Sequence, residues 1–347
     1  MQNKPLVSVV ILNFNGEKFL RKFFSSIYNQ TYPHIEWILV DNASTDGSVE
    51  FIQENFPRVR IVRNRKNLGV PGGNNQGIKV ARGRYILLLP NDVKVDKHCV
   101  EELVDFMEKN PRAGMATCKV VYMKDPTLIN STGTLLMKDF FTLNRGIGEK
   151  DEGQYDKAEE VFGTYTAAIY RREVFEEGGL FDEDYFIQRD EDDISMRARF
   201  LGWECYYVPR ARVEHIRSPS SGGVGSLSKL YFGERNRLWN VIKYLPWDMV
   251  ILSFGDTLKR YLYMGKLMRK PPHPSLKKIR ENTSLLSILL TLLKVHLDTL
   301  LHLHVLLHKR KKVSSLRKIP LHRIRKFFKM FPVPLENIEK LYYLPEE

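Results

Sequence analysis

The chain has 347 residues, 43% of them hydrophobic, which suffices for one large core with an appendage and excludes a disordered protein. Its three cysteines, Cys99, Cys118 and Cys205, lack any CxxC spacing, so neither a zinc knuckle nor a disulfide framework is indicated and a reducing, cytoplasmic setting is expected. The net charge of +13 belongs to one end: from Ser226 onward 24 Lys and Arg stand against 9 Asp and Glu, whereas the residues before it hold 30 against 32. Two regions with different partners are therefore expected, 1–225 and 226–347, and the near-neutral first region argues against a nucleic-acid partner for the whole.

The first apolar run, residues 6–12, is cut short by Asn13 and is too brief for a signal peptide or a membrane span. Strands are predicted over 6–12, 35–40, 59–62 and 85–89, alternating with helices near 18–28, 48–55 and 73–80. This is a βαβ pattern, and in an open parallel sheet ligands bind beyond the carboxyl ends of the strands. The segments there are NFNG (13–16), DNASTDGS (41–48), NRKNLGVPGGNNQG (64–77) and PNDVKVD (90–96), and so much polarity at one sheet edge points to a polyanionic ligand. Residues 123–161 show no clear period and are expected to form an irregular excursion containing strands. Then follow a predicted strand over 164–170, a helix from Arg171, the acidic cluster RDEDD (189–193), a helix to Leu201 and a strand ending at His215.

Several side chains on these segments carry chemistry. Asp41 ends an apolar strand at the binding edge, where a carboxylate can accept the ring N–H of a pyrimidine, whereas Ser44 and Asp46 suit a helix cap. Glycines 69, 72 and 73 precede a helix, a setting whose backbone N–H groups receive phosphate oxygens, although the same turn is common as plain structure. Asn91 and Asp92 follow an apolar strand and offer a hard oxygen ligand for Mg2+ or Mn2+; Pro-Asn-Asp is equally turn chemistry. Asp190, Glu191, Asp192 and Asp193 open a helix, and four adjacent acids repel, which calls for a metal, a basic partner or a proton.

Taken in order over residues 6–217, the blocks VSVVILNFNG, LVDNASTDGS, NLGVPGGNNQGI, YILLLPNDV, GGLFDEDYFI, DEDDISMR and YYVPRARVEH resemble the family 2 glycosyltransferases. The likeness is to the rhamnosyltransferase-like members that build bacterial surface polysaccharides. It implies a GT-A fold: α/β, Rossmann-like, with a mostly parallel central sheet flanked by helices. The resemblance assigns Asp41 to the nucleobase, with Asn13 and Asn15 beside it, and Asn67, Gly69, Gly73, Asn75 and Asn91 to the nucleotide-sugar. It assigns Asp92 and His215 to a divalent metal, and Glu191 to the catalytic base with Asp190 as the alternative. Pro90 departs from the family pattern at the first position of the metal motif. The activity implied is inverting hexosyl transfer from a nucleoside-diphosphate sugar, dTDP-rhamnose foremost, to a saccharide or lipid-linked acceptor. An inactive nucleotide-sugar-binding relative or a nucleotidyltransferase is the alternative. A flap over 128–148 or 218–225 is expected to exclude water.

The second region is expected to be a helical, amphipathic extension. Polar residues recur every three or four positions over 285–308 with leucines between, which predicts one helix with a wide apolar face. Lys294 and Asp298 inside it favour a helix lying in the membrane plane over one that crosses. The basic residues 309–312 and 317–329 are expected to meet anionic headgroups, placing the protein on the inner face of the cell membrane.

Overall fold

A computed structural model describes residues 4–216, 226–272 and 274–342. Four parallel strands lie side by side: β1 (Val7–Asn13), β2 (Ile35–Asp41), β3 (Arg60–Arg63) and β4 (Tyr85–Pro90), in the order β4-β1-β2-β3. Register aligns their ends, with Asn13 opposite Asp41, Asp41 opposite Arg63 and Leu12 opposite Pro90. The polar loops therefore leave the sheet along a single edge. Helices α1 (Glu17–Tyr28), α2 (Ser48–Asn55) and α3 (Gly69–Val80) make the crossovers. α3 starts four residues ahead of the predicted Gly73: Asn67 Oδ1 accepts the Gly69 N–H at 2.8 Å, and Pro71 has no N–H to leave unsatisfied in the first turn.

The sheet continues through β5 (Val93–Val95), α4 (Cys99–Lys109) and the wholly buried β6 (Ala113–Tyr122). The irregular excursion contains β7 (Ile129–Ser131), β8 (Thr134–Leu136), β9 (Thr142–Asn144) and β10 (Glu159–Glu160). Strand β11 (Ala168–Arg171) inserts antiparallel between β4 and β6, followed by α5 (Arg172–Gly178) and α6 (Asp190–Phe200). The last strand, β12 (Glu204–His215), runs parallel to β6 and also pairs antiparallel with β5, setting His215 opposite Val93. The predicted strand over 164–170 forms only in its second half. Residues Thr164 to Thr166 peel away, with Thr166 at φ 55°. All three cysteines are free, and the Cys99 and Cys118 sulfurs lie 3.6 Å apart in the core.

The second region is helical: α7 (Leu227–Tyr244), α8 (Trp247–Arg269), α9 (Pro274–Asn282), α10 (Leu285–Leu301), α11 (Leu303–Ser315) and α12 (Leu321–Met330). It does not stand apart from the first. Val241, Tyr244, Ile324 and Phe327 share one apolar cluster with Leu136, Phe140, Phe162, Met196 and Phe200. The charge boundary near residue 225 is thus no boundary between cores. This packing also corrects the expected flap over 128–148, most of which is buried; within it Asp139 takes Arg260 at 2.7 Å and lies 3.8 Å from Arg237. The other expected flap, 218–225, lies outside the described residues.

The single helix predicted over 285–308 is two, bent by 64° at His302. The bend turns α11 onto the end of α7, where Arg310 donates to the carbonyls of Ile242 (2.5 Å) and Leu245 (2.7 Å). Lys309 is likewise committed, at 2.5 Å from Asp182 and 2.6 Å from Asp184. Two of the cations expected at headgroups therefore clamp the fold. No single helix among the described residues is long and apolar enough to cross a membrane; α10 with α11 meets that test only as the bent pair.

Candidate active site

A cleft of about 1430 Å³ opens at the carboxyl edge of the sheet and runs to α8 and α10. Asn67, Gly69, Asn91, Asp92, Asp190, Glu191 and His215 all line it. Asn13, Asn15, Asp41, Gly73 and Asn75 do not, and their bonds show what each does instead. Buried Asn13 donates to Asp41 (3.3 Å), Ser44 (3.1 Å) and Ser48 (2.9 Å), while its Oδ1 accepts from Asn91 at 2.6 Å. Asp41 also accepts the Ser44 N–H at 3.1 Å, and Asn15 Oδ1 accepts the Thr45 N–H at 2.8 Å. These residues form the framework behind the cleft wall. Asn75 spends both ends of its amide on the chain near α3, with Phe181 N–H and C=O at 3.0 Å and Glu183 at 2.9 Å. At Gly73 a Cβ would sit 2.4 Å from Leu12 Cδ1, so its glycine serves helix-to-strand approach.

Gly69 has φ +73°, and a Cβ there would lie 2.2 Å from the Phe186 carbonyl oxygen, which itself accepts the Val70 N–H at 2.7 Å. The loops ahead of α3 and α6 are thereby held together. Gly69→Ala is expected to cost about 1–3 kcal/mol through backbone strain and this clash, read by denaturant unfolding; a midpoint equal to wild type would refute the contact.

Asp92 and His215 are far apart in sequence and meet because β5 pairs with β12. His215 Nε2 lies 3.5 Å from Asp92 Oδ1, and Nδ1 is 3.5 Å from Asn130 Oδ1. A proton shared at Nδ1 leaves the Nε2 lone pair facing the carboxylate. One carboxylate and one imidazole fit a divalent cation whose remaining ligands come from phosphate oxygens and water. Among the described residues no group of three or more protein ligands exists, so the protein would supply such an ion with these two ligands.

The four acids of α6 divide two and two. Asp193 is wholly buried and paired with Lys243 and Arg197, with Tyr244 Oη at 2.6 Å. Burial opposes its charge, but those two cations hold its carboxyl well below the usual range. Asp192 accepts from Thr142 Oγ1 at 2.8 and 2.9 Å and lies 3.3 Å from Arg189. Among the described residues no cation lies within 4.0 Å of the carboxylates of Asp190 or Glu191. Burial pushes both upward, with the Glu191 charge raising Asp190 further, and the hydrogen bond from Asp190 partly relieves Glu191. Asp190 is buried and the more strongly raised of the two, whereas half-buried Glu191 presents the more accessible carboxyl to the cleft.

No local pattern foretells how this segment is shaped. Phe186, Gln188 and Arg189 have φ of 59°, 71° and 64°, and all line the cleft. Asn236 on α7, fully buried, donates Nδ2 to the carbonyls of Tyr185 (3.1 Å), Ile187 (2.9 Å) and Gln188 (2.7 Å). Arg189 Nη1 reaches the Thr142 carbonyl at 3.0 Å. Asn42, beside Asp41, also lines the cleft and donates to the Gly69 carbonyl at 2.9 Å.

Residues 8–179 match the family model described as glycosyl transferase family 2. An uncharacterized glycosyltransferase of Haemophilus influenzae is 34% identical over 113 residues, 32% of this chain and 35% of that one. The putative teichuronic acid biosynthesis glycosyltransferase TuaG of Bacillus subtilis is 28% identical over 49% of this chain and 64% of its own length. The N-acetylglucosaminyl-diphospho-decaprenol L-rhamnosyltransferase of Mycobacterium tuberculosis is 25% identical over 62% of this chain and 78% of its own. The chain thus spans a third to two thirds of the first two relatives and more of the third. In fold it is similar to GalNAc-T7, solved with UDP, GalNAc and Mn2+, at a TM-score of 0.57 with 19% identity, over 81% of this chain and 55% of that one. Sheet order, cleft position and these likenesses agree: the chain carries a glycosyl transferase family 2 domain on a GT-A fold.

Proposed function

We propose that the protein transfers a hexosyl group with inversion from a nucleoside-diphosphate sugar, dTDP-rhamnose foremost, to a hydroxyl of a saccharide or lipid-linked acceptor in cell-surface polysaccharide synthesis. The observation that carries this reading is Glu191, a carboxyl raised by burial, sharing one cleft with the Asp92–His215 pair. Glu191 takes the proton of the acceptor hydroxyl as its oxygen attacks the anomeric carbon from the face opposite the diphosphate, and the C–O bond to the diphosphate breaks. Asp92 and His215 would hold a divalent cation, Mg2+ or Mn2+, which supplies positive charge to the departing diphosphate when bound. The Asn67–Gly69 turn supports the donor, and Asn236 fixes the backbone from which Glu191 projects. The lipid-linked form of the acceptor is supported by leucines on α8 and α10 that no protein covers, which also favour a peripheral position on the inner face of the cell membrane.

Calorimetry with dTDP- and UDP-sugars, with and without Mn2+, tests the donor half. Wild type is expected to bind one donor in a metal-dependent manner and Asp92→Ala to bind it at least tenfold more weakly. Release of pyrophosphate in place of nucleoside diphosphate during turnover would instead mark a nucleotidyltransferase, and NMR of the product's anomeric centre decides inversion.

A further inference from the structure

Uncovered apolar rings are scarce in the first region. Among its described residues, 4–216, the only exposed large apolar side chains are Phe14, at 46%, and Phe186, at 40%, and both line the cleft. Phe14 stands on the loop after β1, whereas Phe186 stands on the loop into α6, five residues ahead of Glu191. A single exposed ring on a protein surface calls for no explanation. Two that share one cleft, in a region that covers every other large apolar side chain at least in part, mark a surface kept open for a ligand.

The loop holds its ring out on a fixed backbone. Every carbonyl from Asp184 to Gln188 accepts a hydrogen bond: Asp184 from buried Arg235 (2.8 Å), Phe186 from the Val70 N–H (2.7 Å), and Tyr185, Ile187 and Gln188 from Asn236. Phe186 itself keeps φ 59°, a strained value for a residue with a Cβ. Its ring is braced by Phe232 of α7, with centroids 5.8 Å apart, and by Gly69, where a Cβ would lie 2.7 Å from Phe186 Cδ2. A side chain placed in this way has little freedom left to lose when a ligand covers it.

The face of an aromatic ring is electronegative, so it repels a diphosphate and suits the C–H bonds on one side of a pyranose. Of the two rings, Phe186 is the one whose loop is fastened to the start of α3, beside the Asn67–Gly69 turn, and it is also the one whose loop leads to Glu191. We propose that Phe186 is the platform on which the sugar ring of the donor stacks. The proposal rests on the glycosyl-transfer reading and adds the contact that holds the transferred sugar, as distinct from the nucleotide. Stacking fixes the tilt of the pyranose, and with it the direction in which the anomeric carbon faces the incoming hydroxyl.

The test is calorimetry of the full chain with dTDP-rhamnose, UDP-glucose and UDP-N-acetylglucosamine in Mn2+, each set against its own nucleoside diphosphate. For the donor that wild type binds, Phe186→Ala should weaken the sugar nucleotide at least about fivefold and leave the nucleoside diphosphate within twofold. Phe186→Tyr keeps the ring and should stay within twofold for both ligands. Should Phe186→Ala fail to fold, Phe186→Leu carries the same comparison, since it keeps an apolar side chain against Phe232 and has no ring. Equal weakening of both ligands in a folded variant would assign the ring to the nucleotide and overturn the proposal, as would wild-type affinity for both. Wild type that binds dTDP or UDP but no sugar nucleotide also overturns it. Wild type that binds none of these ligands strikes the glycosyl-transfer reading itself, so the two failures are distinguishable.

Discussion

Glu191→Gln is expected to lower kcat by about 10²- to 10⁴-fold while donor affinity stays within about twofold, because the amide keeps the shape of the side chain and cannot accept a proton. Asp190→Asn should retain most of the turnover, since an amide at that position can still donate toward Glu191 and Glu191 remains to take the proton. If the two variants behave the other way round, Asp190 is the base. The pH profile gives an independent check. A base works only when ionised, and burial raises Glu191 above its ordinary value of 4.5, so activity should fall as pH drops through a point above 4.5. An acid limb at or below the ordinary carboxylate value would show that Glu191 is not the group being read.

Lys243→Met is expected to be the most destabilising single change outside the cleft. Lys243 is 3% exposed and joins Asp193 of α6 to Asp182, 3.0 Å away, so one ammonium offsets two carboxylates. Removing it leaves charge buried with too few partners, which costs about 3–5 kcal/mol in comparable pairs. Arg197 and Lys309 remain beside those carboxylates, so a value near about 3 kcal/mol is expected from urea unfolding. The double variant Lys243→Met, Asp193→Asn should recover part of the loss, since the charge left behind is then removed as well. An unchanged midpoint in the single variant would mean that the cluster is not holding α6 to α7.

Much of the fold was legible in the sequence because alternating apolar and amphipathic runs obey short-range rules. The strand ends at Asn13, Asp41 and Pro90 lie at or within one residue of the predicted positions. The acid cluster was legible as an anomaly, and the structure resolves it by pairing: besides the local Arg189 and Arg197, Asp193 takes Lys243 from 50 positions away and Asp192 is bonded by Thr142, also 50 away, which no local pattern encodes. Thr164 to Thr166 read as strand from their β-branched character, yet the backbone turns aside to line the cleft, as tertiary contacts override propensity there. The break at His302 follows from where α11 has to dock and not from any helix-breaking residue. Asp92 and His215 could be named as candidates separately, but their meeting depends on the antiparallel pairing of β5 with β12.

Asn236 has a consequence for how this protein can be divided. The family match ends at residue 179, and the recognisable blocks end near 217, whereas the side chain that grips the carbonyls of Tyr185, Ile187 and Gln188 lies beyond both. A fragment ending after β12 would carry every recognisable block and lack the template on which its reactive loop is moulded. The stretch needed to shape this loop is therefore longer than the family match over 8–179. Any chimera that exchanges the N-terminal blocks between relatives has to move α7 with them, or supply another amide at the same three oxygens.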